Sequence, residues 1–180
     1  MNQQADADAQ SALTILVPEA ERLVAPFREK YDPSAMTGMS AHITLIYPFL
    51  PPDEIDSLVL GKIAECSARF AAFDFSLTAI SRFDGGVIYL APEPDEPFRR
   101  LTLAIWNGWP QTPPYGGRYS EIVPHLTVAQ VGDERLCNGI AVKFALAARD
   151  QLPIKARATK VALLVKYGGK WGVQTEFALY

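Results

Sequence analysis

The sequence is poor in the residues that most often build metal sites and disulfide frameworks, since its 180 residues include only two histidines and two cysteines. Cysteines 71 positions apart are too few for a disulfide scaffold or a cysteine metal cluster, and we interpret both as buried free thiols. A closed zinc site needs about four ligands and a catalytic one about three, so the histidines alone are also too few to hold zinc.

Long apolar runs and an excess of basic residues are also absent. The longest uninterrupted apolar run, residues 161–165, falls far short of the roughly 20 residues that cross a membrane. The N-terminal segment is polar and acidic, so we expect no signal peptide, no membrane anchor and a cytoplasmic protein. With 17 basic and 20 acidic residues, the net charge of −3 argues against a groove that binds a long nucleic acid.

What the sequence contains is the apolar patterning of an α+β protein. We predict a disordered tail over residues 1–11 and one bilobal domain over residues 12–180. Alternation of apolar and polar residues, or short β-branched runs, predict strands at 12–17, 41–47, 73–79, 87–90, 124–130, 161–165 and 171–177. Apolar residues three and four apart predict four helices. Their stripes include Ala20, Leu23, Val24, Phe27 and Tyr31; Ile55, Leu58, Val59 and Ile63; Phe98, Leu101, Ile105 and Trp109; and Leu136, Ile140, Phe144 and Ala147.

Both histidines belong to an internal repeat. His42 begins His-Ile-Thr-Leu, and His125 begins His-Leu-Thr-Val 83 positions later. The double glycines at 85–86 and 168–169, which we interpret as hairpin turns, are separated by the same 83 positions. The repeat predicts two lobes related by an approximate two-fold axis, with mainly antiparallel sheets lining a central cleft and helices packed outside.

The repeated motif places two imidazoles and two hydroxyls on the predicted cleft. Residues two apart share one face of a strand, so His42 lies beside Thr44, and His125 beside Thr127. At neutral pH one imidazole can act as a base and the other as an acid. In-line displacement at phosphorus needs that pair on opposite sides, and the hydroxyls can donate hydrogen bonds to the phosphoryl oxygens. The motifs therefore favour phosphoryl transfer.

Other interpretations of the two motifs remain open. Both histidines can be structural residues of strands, or ligands of a metal that other side chains complete. A non-catalytic module that binds nucleotides or RNA in the same cleft is the leading alternative from another class of protein. Acyl transfer by a serine triad is disfavoured, because no Gly-x-Ser-x-Gly elbow occurs.

Two His-x-Thr motifs about eighty residues apart resemble the two-histidine (2H) phosphoesterase superfamily, within it the 2'-5' RNA ligase-like and cyclic phosphodiesterase branches. The resemblance covers nearly the whole chain. It implies that the four motif residues act without metal on 2',3'-cyclic or 2'-5' phosphodiester bonds of small nucleotides or RNA ends, in some members reversibly as a ligase. The ligase-like branch often has an arginine after the second motif, where this sequence has Gln130. We expect no cofactor and a monomer.

Further residues are candidates for substrate binding. Three aromatic side chains are candidates to stack on a nucleobase: Tyr47, Phe83 and Tyr115. Arg82 and Arg118 are candidates to neutralise phosphate charge. Tyr119 is also a candidate for substrate binding, because the loop that contains it and Arg118, residues 110–119, leads into the second motif. Packing in the core is the competing interpretation for each aromatic residue.

Overall fold

The computed structural model describes residues 9–180, which form eight strands and five helices. The first eight residues of the predicted tail lie outside this range, and β1 begins at Gln10, within the predicted tail. No helix in residues 9–180 is both long enough and apolar enough to cross a membrane. In chain order the elements are β1 (Gln10–Leu16), α1 (Pro18–Tyr31), α2 (Pro33–Met36), β2 (His42–Ile46), α3 (Ser57–Ser67), β3 (Phe73–Phe83), β4 (Val87–Glu93), α4 (Glu96–Gly108), β5 (Leu126–Gln130), α5 (Glu134–Ala148), β6 (Ile154–Ala158), β7 (Lys160–Tyr167) and β8 (Lys170–Ala178).

The strands form two four-stranded antiparallel sheets, which confirms the predicted α+β class. The first sheet has the order β2-β1-β7-β8 and the second the order β5-β4-β3-β6. Each motif strand lies at a sheet edge, beside the strand that precedes it in the chain. The first sheet is completed by β7 and β8 from the end of the chain. The lobes are therefore not successive halves of the sequence, because β3 pairs with β6 and β7 pairs with β1, each from the other half of the chain.

Helices and edge strands join the two lobes. Helix α1 follows β1 of the first sheet but packs against β5 of the second, and α4 follows β4 but packs against β2. The motif strands β2 and β5 also contact each other. One hydrophobic core is continuous across both sheets, and it includes Ile43 and Leu45 from β2 and Leu126 and Val128 from β5. The apolar residues of both motifs therefore face the core, as the alternation predicts.

Helices α1 and α4 follow their predicted stripes, whereas α3 and α5 differ. Asp56 caps α3 by accepting hydrogen bonds from the backbone of Leu58 and Val59, so α3 begins at Ser57 and Leu58 is exposed. In α5 the residues predicted as Leu136 and Ala147 of the stripe are exposed. Ile140 and Phe144 are buried as predicted, and the rest of the buried face consists of Cys137, Ala141 and Ala148.

Three further differences concern the strands and one loop. Strand β6 was not predicted, because its alternation of Lys155 and Arg157 with apolar residues resembles a hydrated surface segment. Strand β7 does not alternate: residues 161–165 are all buried, since β7 lies inside its sheet and both of its faces are covered. Residues 32–40, where the apolar pattern predicts neither a strand nor a helix, contain α2, which is capped by the Asp32 carboxylate.

Candidate active site

The first half-site consists of His42 and Thr44 on β2, and the second of His125 and Thr127 at the start of β5. Thr44 lies opposite Thr14 of β1, and Thr127 lies opposite Tyr89 of β4. Because opposite residues of a sheet share a face, Thr14 and Tyr89 lie beside the motif side chains of their own lobe. Because β2 and β5 contact each other, the structure brings the four predicted motif residues together where the edges of the two sheets meet.

The two imidazoles are held in the same way. Nδ1 of His42 lies 2.7 Å from the carbonyl oxygen of Ser40, and Nδ1 of His125 lies 2.7 Å from that of Val123. A carbonyl oxygen only accepts, so Nδ1 carries the proton in both rings, by assignment from these hydrogen bonds. In the neutral form Nε2 is therefore the free basic atom of each ring.

Both imidazoles are neutral at pH 7. Burial is the largest cause that lowers the pKa of His42 from 6.5 to about 4, and the charges of Arg28 and His125 lower it further. The hydrogen bond to Ser40 and the charge of Asp32 raise this pKa and so offset part of the shift. Burial also lowers the pKa of His125, opposed by its hydrogen bond to Val123. Protonation of His125 would lower the pKa of His42 further, which is consistent with the two imidazoles lying near each other.

A buried ion pair lies near the first half-site, and the sequence analysis missed it. Arg28 Nε donates to Asp32 Oδ2 at 2.9 Å, with 2% and 4% of the two side chains exposed. The remaining Asp32 oxygen accepts from the backbone and hydroxyl of Ser34, at 2.9 and 2.7 Å. The sequence does contain a pattern that indicates this pair, because Arg28 lies four positions after the buried Val24, on the same face of α1, and four positions before Asp32.

Aromatic rings surround His125 in the second half-site. Phe83 and Tyr89 meet the imidazole edge to face, with ring centroids 4.9 and 5.4 Å away, and Phe83 stacks on Tyr89 at 4.2 Å. Tyr115 stacks on the imidazole at 5.8 Å and an angle of 24°. Phe83 and Tyr115 were predicted to lie at the site. Tyr89 was not, although its position in β4, opposite the second motif, places it there.

Tyr115 also contacts the first half-site. Its hydroxyl lies 3.5 Å from Nε2 of His125 and close enough to Thr44 to interact with that side chain, since the turn that carries Tyr115 contacts β2. Burial raises the pKa of Tyr115 to about 12, partly offset by the Thr44 hydrogen bond, while Tyr119 raises it further. The phenol therefore keeps its proton throughout the ordinary pH range. It can donate to either the threonine oxygen or the imidazole nitrogen.

The other predicted binding residues lie elsewhere or at the margin. Tyr47 packs edge to face on Trp171 at 6.1 Å, and its hydroxyl donates to Gln10. These contacts agree with a packing role for Tyr47, which was the alternative to stacking on a base. Arg82 donates to Asn138 of α5. Its neighbour Phe83 points to the other face of β3, towards His125, which explains why Arg82 does not reach the cleft.

Arg118 and Tyr119 lie in the loop that carries Tyr115. The Arg118 side chain is exposed, and Tyr119, 70% exposed, meets the Tyr115 ring edge to face at 6.0 Å. Between this loop and α4 is a cavity of about 470 Å³. It is lined by Arg99, Leu103, Trp106, Pro113, Pro114, Tyr115, Gly117, Tyr119, Ser120, Glu121 and Ile122. Tyr115 thus lies between the cavity and the two half-sites.

The residues of the cleft offer acid–base chemistry more readily than metal binding. Among residues 9–180, no three histidine, cysteine or carboxylate side chains converge in a way that could hold a metal ion. The cleft instead presents two neutral imidazoles, two threonine hydroxyls and one phenol. This set can accept a proton, donate one and hydrogen-bond an anion held between the two motifs.

Comparisons with known proteins identify relatives by sequence profile and by fold. The profile of the 2'-5' RNA ligase superfamily matches residues 16–170. LigT of E. coli in complex with 3'-AMP superposes with a TM-score of 0.61 and 14% identity, covering 94% of this chain and 97% of that one. TT0787 of Thermus thermophilus superposes with a TM-score of 0.56 and 19% identity, covering 94% and 97%. No curated protein matches the chain in sequence. At these identities the solved structures show a shared fold.

Proposed function

The chain belongs to the 2'-5' RNA ligase superfamily, and from this premise we propose that it is a metal-independent phosphodiesterase acting on 2',3'-cyclic or 2'-5' bonds of nucleotides or RNA ends. One observation carries the proposal. Two imidazoles on opposing edge strands have identical Nδ1 hydrogen bonds to the backbone, so each presents Nε2 as the reactive atom. A displacement at phosphorus needs two such groups, one for the entering oxygen and one for the leaving oxygen.

The reaction uses the histidines as one base and one acid. The base takes a proton from water through its Nε2 while the water oxygen attacks phosphorus. The bond from phosphorus to one ribose oxygen breaks, and the acid delivers its proton to that oxygen. Burial makes both resting imidazoles neutral, and the negative charge of the bound phosphate favours protonation of the one that acts as acid. Thr44 and Thr127 hydrogen-bond the non-bridging oxygens, where charge grows in the transition state.

Small nucleotides or RNA ends are the proposed substrates. The protein has a net charge of −3, so a local site rather than a broad positive field must hold the phosphate. The aromatic rings around His125 and the cavity beside Tyr115 offer surfaces on which a base can stack. Structures of LigT with 3'-AMP, ATP and NADP+ support a nucleotide as the ligand. With a ribose 5'-hydroxyl in place of water as the attacking group on a 2',3'-cyclic phosphate, the bond from phosphorus to the 3' oxygen breaks, that oxygen takes the proton of the acid, and the product is a 2'-5' linkage.

The test is a hydrolysis assay with 2',3'-cyclic AMP and a 2'-5' linked dinucleotide in the presence of EDTA. We expect His42→Ala and His125→Ala each to lower kcat by about 10²–10⁴-fold, the usual contribution of a general acid or base. Lys143→Ala, an exposed change on α5, is the control and should keep full activity. Full activity in either histidine variant, or activity only after metal is added, would refute the mechanism.

A binding experiment separates catalysis from the alternative of a non-catalytic module. Calorimetry with 3'-AMP measures whether the cleft binds a nucleotide at all. Binding that both histidine variants weaken, without turnover of any cyclic or 2'-5' substrate by the unmodified protein, would favour the module that only binds nucleotides.

A further inference from the structure

Tyr115 touches both half-sites although it belongs to neither sheet. It lies in a short turn, Pro114–Gly117, and its phenol oxygen contacts Thr44 from one lobe and approaches His125 Nε2 from the other. The remaining contacts within the half-sites come from the strands themselves or from residues adjacent to them. The hydroxyl therefore lies between the two groups that must approach the same phosphoryl group.

The backbone at Tyr115 indicates that this placement is enforced. Tyr115 has φ 52°, which makes it the one non-glycine residue with positive φ among residues 9–180, and Gly116 and Gly117 beside it also have positive φ. A bulky residue adopts this left-handed conformation only where its surroundings hold it there. The contacts that hold it include the backbone hydrogen bonds of the turn, the edge contact with Tyr119, the stacking of its ring on His125 and the interaction of its hydroxyl with Thr44.

The direction of the hydroxyl proton follows from its neighbours. Nδ1 of His125 is committed to the Val123 carbonyl, so Nε2 of the neutral ring is an acceptor. The phenol donates to that nitrogen or to the threonine oxygen, and in both cases its proton points into the space between the half-sites. During the reaction Nε2 must exchange a proton with water or with the leaving oxygen. The phenol can then direct its proton to the Thr44 oxygen or to the phosphoryl group that the mechanism places between the half-sites.

We propose that Tyr115 is a catalytic residue whose hydroxyl donates a hydrogen bond to a non-bridging phosphoryl oxygen on the Thr44 side of the cleft. This inference rests on the proposed phosphodiesterase function and goes beyond it, since the His-x-Thr motifs supply only one hydroxyl per lobe. The interaction strengthens as negative charge develops on the phosphoryl oxygens, so it stabilises the transition state more than the bound substrate. The role differs from the stacking on a base that the sequence predicts.

Tyr115→Phe separates the two roles, because phenylalanine keeps the ring and removes only the hydroxyl. We expect kcat on 2',3'-cyclic AMP to fall on the order of 10²-fold, as for the loss of one preorganised donor, with KM changed less than about threefold. Tyr167→Phe makes the same chemical change at an exposed tyrosine near the end of β7 and should keep full activity. Equal thermal melting temperatures of the two variants show that the loop is still folded.

Each other outcome has a separate meaning. A Tyr115→Phe variant with unchanged kcat, while His42→Ala is inactive, overturns the inference and leaves the proposed function in place. A rise in KM alone also overturns it, because the hydroxyl then serves ground-state binding only. If the unmodified protein turns over no substrate, the proposed function fails and a catalytic role for Tyr115 falls with it. In that case, calorimetry with 3'-AMP on the unmodified protein and on Tyr115→Phe shows only whether the hydroxyl contributes to nucleotide binding.

Discussion

The first and second half-sites share their motif and differ in what surrounds it. Each histidine follows a carbonyl acceptor by two residues, and each threonine follows its histidine by two. Beside His42, however, there is the buried charge of Arg28, and Thr44 lies opposite a small residue, Thr14. Beside His125 there are aromatic rings instead.

This difference indicates how one repeated motif can acquire two roles. The backbone geometry that sets the tautomer is local and is the same in both lobes. The electrostatic environment comes from distant parts of the chain and is different in each: a fixed positive charge disfavours protonation of His42, whereas rings confine His125 and place Tyr115 against it. Three predictions probe this contrast, beginning with the largest effect.

The buried ion pair near His42 should have the largest effect on stability. Arg28→Met leaves the Asp32 carboxylate buried without its cation, so we expect the free energy of unfolding to fall by about 3–5 kcal/mol. Urea denaturation of the variant and of the unmodified protein measures this difference in the free energy of unfolding. Arg28→Met combined with Asp32→Asn removes both charges and keeps a capping side chain for α2, and it should recover at least half of the loss.

The matched control is an exposed ion pair. Arg157 and Asp74 form a similar contact at 2.9 Å, but 53% and 77% of their side chains are exposed. Arg157→Met should therefore cost less than about 1 kcal/mol. If Arg28→Met lowers the free energy of unfolding as little as Arg157→Met does, the buried ion pair is not a difference in stability between the first and second half-sites, contrary to our argument.

The pH dependence of stability should differ between the two histidines. The pKa of His42 is about 4 in the folded protein against 6.5 for the free side chain, so between these values the unfolded chain binds a proton that the folded chain does not. The free energy of unfolding should therefore fall as pH drops from about 6.5 to about 4, by up to about 3 kcal/mol from this group. Below pH 4 this contribution is constant.

Comparison with variants isolates the imidazoles from carboxylates that titrate in the same range. His42→Gln should flatten the difference in unfolding free energy between pH 7 and pH 4. His125→Gln should flatten it less, because the charge of Arg28 adds to burial in lowering the pKa of His42, whereas no arginine contributes at His125. An equal effect of the two variants would mean that Arg28 does not act on His42.

The aromatic surroundings of His125 should affect catalysis more modestly. Phe83→Ala removes one edge contact to the imidazole and the ring stacked on Tyr89. An aromatic pair contributes about 0.5–1.5 kcal/mol, so we expect kcat/KM on a cyclic nucleotide to fall by up to about tenfold. Tyr167→Leu is the control, and unchanged kcat/KM in Phe83→Ala would show that the rings do not position His125.

Much of the site could be predicted from the sequence because its key signals are local. The alternation in the motifs determines which side chains leave the core, and the structure places Ile43 and Val128 inside and the histidines in the cleft. Helix α1 likewise begins at Pro18, a residue type that is favoured at the first position of a helix. The errors in α3 and α5 are also local in origin: capping by Asp56 and Asp133 sets where each helix starts, and Leu58 and Leu136 lie exposed in the first turn, while Ile63, Ile140 and Phe144 are buried as predicted.

Other features could not be predicted, since they depend on contacts between distant residues. Tyr47 and Phe83 are both aromatic residues close to a motif or hairpin, yet one packs on Trp171 and the other on His125. The choice depends on which strands pair and in what register. The aromatic ring of Tyr115 marked it as a candidate to stack on a nucleobase, but only the fold placed its hydroxyl beside Thr44.

The sequence by itself determined that two histidines and two threonines share exposed faces of two strands, because side chains alternate along a strand whatever it pairs with. Only the tertiary structure decided that those strands form facing edges, that β3 and β7 pair with strands from the other half of the chain, and that a buried arginine lies near one histidine while a tyrosine lies against the other. The physical reason is distance. Periodicity acts over a few residues, whereas charge, burial and ring contacts act between atoms that the chain order keeps far apart.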